Sequence, residues 1–560
     1  MEITIGAGTA LRNPASALVE RLSWTVVLAV SATAFIGVVH ALNMFGFPSY
    51  FQDEGVYQAQ AWHFINDSQV PYQYTYWYDH PAAGWIFTGL WMKVFGFFTF
   101  GDSLASGRAF VLVLHLASAL MLFWIAHKIS RSNFAATTAV LLFGLSPYWI
   151  IQGRQLMLEP LAVFWMLAAM MPLFRDRPSL AGYCFSGFAF GVAILTKEVF
   201  IAFIPGFLML AWLRAHKDHL LMVMAHWVTV MASTVSLYVL YAVLKGELLP
   251  QGWPLAAKGE HVSLIGTLQF HMNRESDSGL MDFSSRFWSN SVAHWFDLDP
   301  FLTVATPLCI LAAFVLGFRY RILWPFGVLI GGFVLFLGRG GVVFDFYALP
   351  LVPLVALVVA VVLRELVVGG AALLRRRDTS APASEGLASR LPGLGAARRL
   401  AWPVVYAGLL AGFVVVAAVG VMHRSNYERW YEAALTYDNT SPQMDAVQWV
   451  RDNVPRDDLV MINSYALLEL QSHPRTQWYW KVERDPEIQE DILHEDWRGV
   501  DYAIVTPNME EEARSGVIPF VAEIMSHGTE VAYFESDGYW VKVLRVGADS
   551  EGLSVAGIGS

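Results

Sequence analysis

Apolar residues run in long uninterrupted stretches along most of this chain. The runs near 23–42, 104–126, 134–151, 160–173, 181–195, 199–213, 220–244, 301–318, 322–338, 346–363 and 402–421 lack the alternation of a half-buried strand. A helix needs about 20 mostly apolar residues to cross hydrocarbon, so these runs predict eleven transmembrane helices. After residue 421 the pattern turns polar. There Ser441-Pro442 opens a helix as N-cap and first-turn proline, running to about Asn453. Strands are predicted at Leu459 to Ile462, Asp501 to Val505, Glu530 to Phe534 and Tyr539 to Leu544, with helices near 485–494 and 509–526. The expected fold is an α-helical polytopic membrane protein carrying a small C-terminal α/β domain.

Composition agrees with this reading and narrows it. With 56% hydrophobic and only 15% charged residues over 560 positions, the chain is too apolar for a soluble protein. Its net charge of -10 comes largely from the last portion, and nothing resembles a nucleic-acid footprint. Cys184 and Cys309 both lie in apolar runs, so neither a disulfide framework nor a cysteine zinc site is indicated.

Basic residues in short loops mark the cytoplasmic side. The loops at 127–131, 175–177, 214–219, 319–321 and 375–399 fall on one side if the N-terminus, residues 1–22, is cytoplasmic and the first span is uncleaved. The expected organisation is a membrane domain at 23–421 and an extracytoplasmic domain at 422–560, in a multi-pass protein of the cell membrane. The outer loops 43–103 and 245–300 are long, and the linker 365–401, rich in Ala, Ser, Gly and Pro at 378–397, is cytoplasmic and flexible. Within the first outer loop, Val56 to Ile65 and Ala83 to Phe97 are amphipathic and suit the membrane interface.

Candidate chemistry collects at the outer ends of the spans. Asp53-Glu54 follows the first span. It reads either as a helix cap or as a general base with a companion carboxylate. Asp79-His80-Pro81 closes the same loop, and a His beside an Asp can orient a carboxylate or a substrate hydroxyl. Arg154 and Glu159 lie between the third and fourth spans, Lys197 follows the fifth, and Arg339 lies in a later outer loop before Asp345-Phe346-Tyr347. Unpaired in hydrocarbon, such groups would be costly. Cations suit a phosphate leaving group and carboxylates suit activation of an attacking hydroxyl, a division of labour that fits sugar transfer from a lipid phosphate. Asp53, Glu54 and Glu159 could also gather a divalent cation through oxygen ligands, although no spacing requires a metal.

At these residues the chain resembles the GT-C superfamily of polyprenyl-phosphate-sugar-dependent glycosyltransferases, close to its protein O-mannosyltransferase and lipid A aminoarabinose transferase branch. The resemblance is carried by Asp53-Glu54 with Tyr57, by Asp79-His80-Pro81 at that branch's His-Pro-Pro, by Arg154 to Glu159, by Thr196-Lys197, and by Phe346-Tyr347-Ala348-Leu349-Pro350. Ala82 replaces the second proline of His-Pro-Pro. The resemblance implies Asp53 as base with inversion at the anomeric carbon, and catalytic places for Glu54, His80 and Glu159. It likewise implies substrate-binding places for Tyr57, Asp79, Arg154, Lys197, Arg339 and Tyr347. The partners it implies are a polyprenyl-phosphate sugar donor, a glycan, lipid or protein acceptor, and the bilayer.

Two other classes compete with the enzyme. A secondary transporter would carry ionisable groups near the bilayer midplane, whereas here they sit at outer ends. A membrane-anchored binding or assembly protein for envelope glycans would need few spans. Its sugar contacts could come from Trp478, Tyr479 and Trp480, although such aromatics more readily fill the domain's core.

Overall fold

The computed structural model describes residues 14–66, 76–254, 256, 262–273, 278–378, 394–485 and 487–546. Most of the flexible linker expected at 378–397 and the first residues of the chain lie outside that set. All eleven apolar runs are helical. They correspond to α1 (Pro14–Ala41) and, beyond three helices of the first outer loop, α2 (Gln52–Asn66), α3 (Tyr76–Asp79) and α4 (Ala83–Phe95), to α5 (Ser103–Ser130) and α6 (Asn133–Gly144) with its short continuation α7 (Pro147–Gln152). The series continues with α8 (Leu158–Met170), α9 (Leu180–Thr196), α10 (Ile204–Arg214) and α11 (Leu220–Lys245). In the second long outer loop lie α12 (Leu264–Asn273) and α13 (Ala293–Leu298), followed by α14 (Pro300–Gly317), α15 (Trp324–Leu337), α16 (Leu351–Asp378) and α17 (Leu394–Met422).

Helix starts follow local chemistry. Asp102, Ser132, Ser146, Ser179 and Asp299 each place a side-chain oxygen on a first-turn amide of the helix that follows. Pro147 and Pro300 stand in the first turn, where a missing N–H costs nothing. Six of the described helices are long and apolar enough to cross a membrane. In Asp345–Gly369, the hub of the bundle, 89% of the most apolar 18-residue stretch is buried, whereas in Trp402–Met422 only 6% of that stretch is. An apolar helix with so little protein around it faces lipid.

The first outer loop is pinned from below. Glu54 and Arg108 of α5 form an ion pair at 2.8 Å with both side chains fully enclosed. Arg108 also donates to the Met44 and Ser49 carbonyls and stacks over the Tyr50 ring, while Glu54 accepts from the Phe51 and Leu156 amides. Each nitrogen of the guanidinium and each oxygen of the carboxylate thus has a partner, which is what makes a buried pair tolerable. The N-terminal half of α2 is buried continuously from Glu54 to Ala61. The interfacial face expected for Val56 to Ile65 is therefore covered by protein, because α4 packs on one side and the outer domain on the other.

Beyond α17, α18 (Arg424–Thr436) packs its Ala433 and Ala434 into the membrane core, and the globular outer domain begins at α19 (Ser441–Asn453). Its sheet contains β1 (Val460–Ile462), β2 (Thr476–Trp478), β3 (Tyr502–Val505), β4 (Thr529–Ser536) and β5 (Tyr539–Arg545), with α20 (Tyr479–Arg484), α21 (Pro507–Arg514) and α22 (Pro519–Ser526) between them. The order is β2-β1-β3-β5-β4, parallel across β2, β1 and β3, and antiparallel across β3, β5 and β4. Asp537 and Gly538 both adopt positive φ in the turn that closes the β4–β5 hairpin. Four strands agree with the sequence pattern. The fifth, β2, is a three-residue edge strand too short to announce itself.

Replacing Glu54 by Gln leaves Arg108 charged and enclosed without a counter-ion, and is expected to remove about 3–5 kcal/mol of stability. A large drop in the melting temperature of the purified protein in detergent checks this.

Candidate active site

Asp53 stands in the first turn of α2, beside the Glu54 that is consumed by Arg108, and remains partly open to solvent. A carboxylate there gains from the helix dipole. One turn along, the buried Tyr57 directs its hydroxyl to Asp53 Oδ2 in a long contact of 3.5 Å. Asp53 does not precede the helix, as an N-cap would: α2 begins at Gln52, and it is the Glu54 side chain that reaches back to the Phe51 amide.

Lys197 is the centre toward which the other groups converge. It follows the last residue of α9 in extended conformation and is fully buried. Its ammonium lies 3.1 Å from Glu159 Oε1 at the start of α8, 3.1 Å from His80 Nε2, and 5.2 Å from the centre of the Tyr347 ring. Burial opposes its charge, yet Glu159, Tyr347, Glu198 and Asp53 outweigh that and hold it above the ordinary lysine value. Charged Lys197 can only donate, so His80 Nε2 accepts and its other nitrogen, Nδ1, carries the proton given to Glu198 Oε2 at 3.0 Å. Burial also opposes the Glu198 carboxylate, but the His80 contact and the Lys197 charge keep it well below the usual carboxylate range.

Asp53, Tyr57, His80, Glu159, Lys197 and Tyr347 are thus brought into one electrostatic cluster. Asp79 lies at its rim, 3.7 Å from His271 Nε2. Arg339 is exposed, donates to the Phe336 carbonyl and lies within electrostatic reach of Tyr347 and Glu198.

Arg154, expected beside the donor phosphate, lies elsewhere. It is buried and donates to the Ala434 carbonyl at 2.8 Å and to the Val39 and Leu42 carbonyls at 2.9 and 3.0 Å. The C-terminal ends of α1 and α18 meet there, and their orphan carbonyls draw in a guanidinium. Nor do Asp53, Glu54 and Glu159 converge as an oxygen cage. Glu54 is committed to Arg108 and Glu159 to Lys197, and among the described residues no three His, Cys, Asp or Glu side chains gather as metal ligands do.

Two residues of the cluster were not singled out from sequence. Glu198 adjoins Lys197 and could have been chosen for that reason. His271 of α12 stacks on His80 at 6.2 Å between ring centres, and nothing in its own segment signals a site.

Comparison with known proteins adds a class to this geometry. The family profile described as dolichyl-phosphate-mannose-protein mannosyltransferase matches residues 31–245, a span that includes Asp53, His80, Glu159 and Lys197. Undecaprenyl phosphate-alpha-4-amino-4-deoxy-L-arabinose arabinosyl transferase of Edwardsiella ictaluri (strain 93-146) is 28% identical over 146 residues, 25% of this chain and 26% of the relative. The protein of the same name from Enterobacter sp. (strain 638) is 27% identical over 197 residues, 33% of this chain and 31% of the relative. The chain therefore matches about a quarter to a third of the length of these curated relatives. The crystal structure of ArnT from Cupriavidus metallidurans superposes with a TM-score of 0.53 at 17% identity, covering 94% of this chain and 98% of that one. The archaeal oligosaccharyltransferase AglB from Archaeoglobus fulgidus gives 0.52 at 12% identity, covering 93% and 74%. At such identities these two likenesses speak for the fold, that of a multi-helix membrane protein with an appended outer domain. Together with the profile and sequence matches, these likenesses support membership of the GT-C superfamily.

Lys197→Met is expected to cost about 3 kcal/mol by leaving the Glu159 carboxylate enclosed and unpaired. Adding Glu159→Gln should recover most of that loss, because the two effects are coupled. Melting temperatures of the wild type, both single variants and the double variant measure the coupling.

Proposed function

We propose that this protein is a membrane glycosyltransferase that moves a sugar from a polyprenyl-phosphate-linked donor to an acceptor hydroxyl at the outer face of the cell membrane. The observation that carries the reading is the partly open carboxylate of Asp53 beside a buried ionic cluster of Lys197, Glu159, His80 and Glu198, assembled from α8, the end of α9, the first outer loop and the turn before α16 that bears Tyr347. Asp53 takes the proton from the acceptor hydroxyl as its oxygen attacks the anomeric carbon. The bond from that carbon to the phosphate oxygen breaks, and the lipid phosphate leaves with the electron pair. A single displacement of this kind inverts the anomeric configuration. Asp53 then returns its proton to water.

The roles divide by accessibility. Arg339 is the exposed cation and meets the leaving phosphate. Lys197, enclosed between Glu159 and His80, orients these groups and holds the first outer loop against α8 and α9. Glu54, His80 and Glu159 are positioning residues in this scheme, and Tyr57 steadies Asp53. Arg154 serves the fold. Tyr347 and Asp79 line the donor side. In the membrane the N-terminus and the basic loops face the cytoplasm, which puts α2 and the outer domain on the opposite side.

Asp53→Asn is expected to lower turnover by about 10²–10⁴-fold, the usual contribution of a general base, while donor still binds. Purified protein in lipid nanodiscs, given undecaprenyl-phosphate 4-amino-4-deoxyarabinose or dolichyl-phosphate mannose together with membrane extract, reports donor consumption. Equal consumption by wild type and Asp53→Asn rules the mechanism out. Arg339→Ala should raise the KM for donor about tenfold with the melting temperature unchanged. For orientation, a cysteine at Asp176 should react with an impermeant thiol reagent only after cells are opened, and one at Thr529 in intact cells or spheroplasts.

A further inference from the structure

The outer domain touches the segment bearing Asp53 at more points than an appended binding module needs. The Gln443 side chain brackets the Tyr50 backbone, accepting its N–H at 2.7 Å and donating to its C=O at 3.0 Å, as a neighbouring strand would. Ser464 donates its hydroxyl to the Gln52 carbonyl at 2.6 Å, and the Gln52 side chain hydrogen-bonds Tyr479 and Glu512. Gln52 is thus held by backbone and side chain immediately before Asp53.

The approach is closest at Gly55. A Cβ there would lie 2.1 Å from the Ser464 carbonyl oxygen and 2.6 Å from the Tyr465 Cα. Those are backbone atoms and cannot swing aside as a side chain could, so only glycine lets the 464–465 turn rest on α2. Leu468 closes the same contact against Ala59, Met92 and Phe97. On the far side, Glu469, paired with Arg451, accepts the Ser103 amide at 2.8 Å at the start of α5, the helix that bears Arg108. The Tyr50 and Leu104 side chains belong to the outer domain's own core.

From these contacts we infer that the outer domain is a built part of the active site: Ser464, seated on Gly55 and on the Gln52 carbonyl, is a positioning residue that fixes where α2 begins and therefore where the Asp53 carboxylate points. The inference rests on Asp53 acting as base. The second half of α2 is anchored to α4, and the first turn is held from two sides, by Glu54 on Arg108 within the bundle and by Ser464 on Gln52 and Gly55 from the outer domain. A displacement of about 1 Å at a catalytic group costs up to about a hundredfold in rate, so one hydrogen bond at this position is felt in the chemical step.

The test uses the full-length protein and the donors named above. Ser464→Ala should lower kcat about tenfold with donor KM changed less than about twofold, Ser464→Thr should restore it, and amides of 53–57 should exchange faster in the alanine variant by mass spectrometry. Gly55→Ala should lower kcat further, by about a hundredfold, provided that its melting curve shows a folded protein. If Ser464→Ala turns over as fast as wild type while Asp53→Asn is silent, the positioning role is wrong and the base assignment stands. If Ser464→Ala and Ser464→Thr are equally impaired and both melt early, the contact is only structural and the inference fails. If wild type consumes no donor, the reading beneath it fails, and the inference with it.

Discussion

The enclosed pair of Glu54 with Arg108 is the constraint on which the first outer loop depends. In a low-dielectric interior neither charge can be left alone, so the loop must bring Glu54 to one place on α5. Arg108 then uses its remaining hydrogens on the Met44 and Ser49 carbonyls and its face on the Tyr50 ring. One guanidinium thereby fixes both the chain entering α2 and the first turn of that helix. Asp53, the neighbouring residue, is left turned away from the pair and toward the Lys197 cluster. Adjacent carboxylates on a helix diverge, and here the divergence separates the enclosed Glu54 from the partly open Asp53.

Three buried cations illustrate how context decides what a charge does. Arg108 meets a carboxylate, Arg154 meets the carbonyl ends of two helices, and Lys197 meets a carboxylate together with an imidazole. All three needed partners for the same reason, the cost of desolvation. Only Lys197 found them among groups that also surround Asp53. Arg339 is only partly desolvated, and its side chain stays largely open to solvent.

The outer domain shares residues with the membrane part in both directions. Tyr50 and Leu104 complete its core, and Ser464 and Gln443 shape the loop beneath it. The domain boundary is therefore real in composition and absent in packing. The candidate site is thus built by residues from both ends of the chain.

Much of this architecture could be read along the chain, because membrane helices must be apolar over their whole length and helix caps are local chemistry. The eleven apolar runs, four of the five strands, and the placement of Asp53, His80, Glu159 and Lys197 at the ends of spans all follow from rules that act within a few residues. What sequence could not decide was partnership. Whether Arg154 faced a phosphate or two helix ends, whether Glu54 was a catalyst or a counter-ion to Arg108, and whether His271 joined the site all depended on contacts between segments far apart in the chain. The amphipathic pattern of α2 implied a wet face, and only the folded protein shows that face covered by the outer domain, since a pattern records that one side is polar and not what will bond to it. Local chemistry determined the elements, and the long-range pairing of buried charges and backbone groups determined which of them make the site.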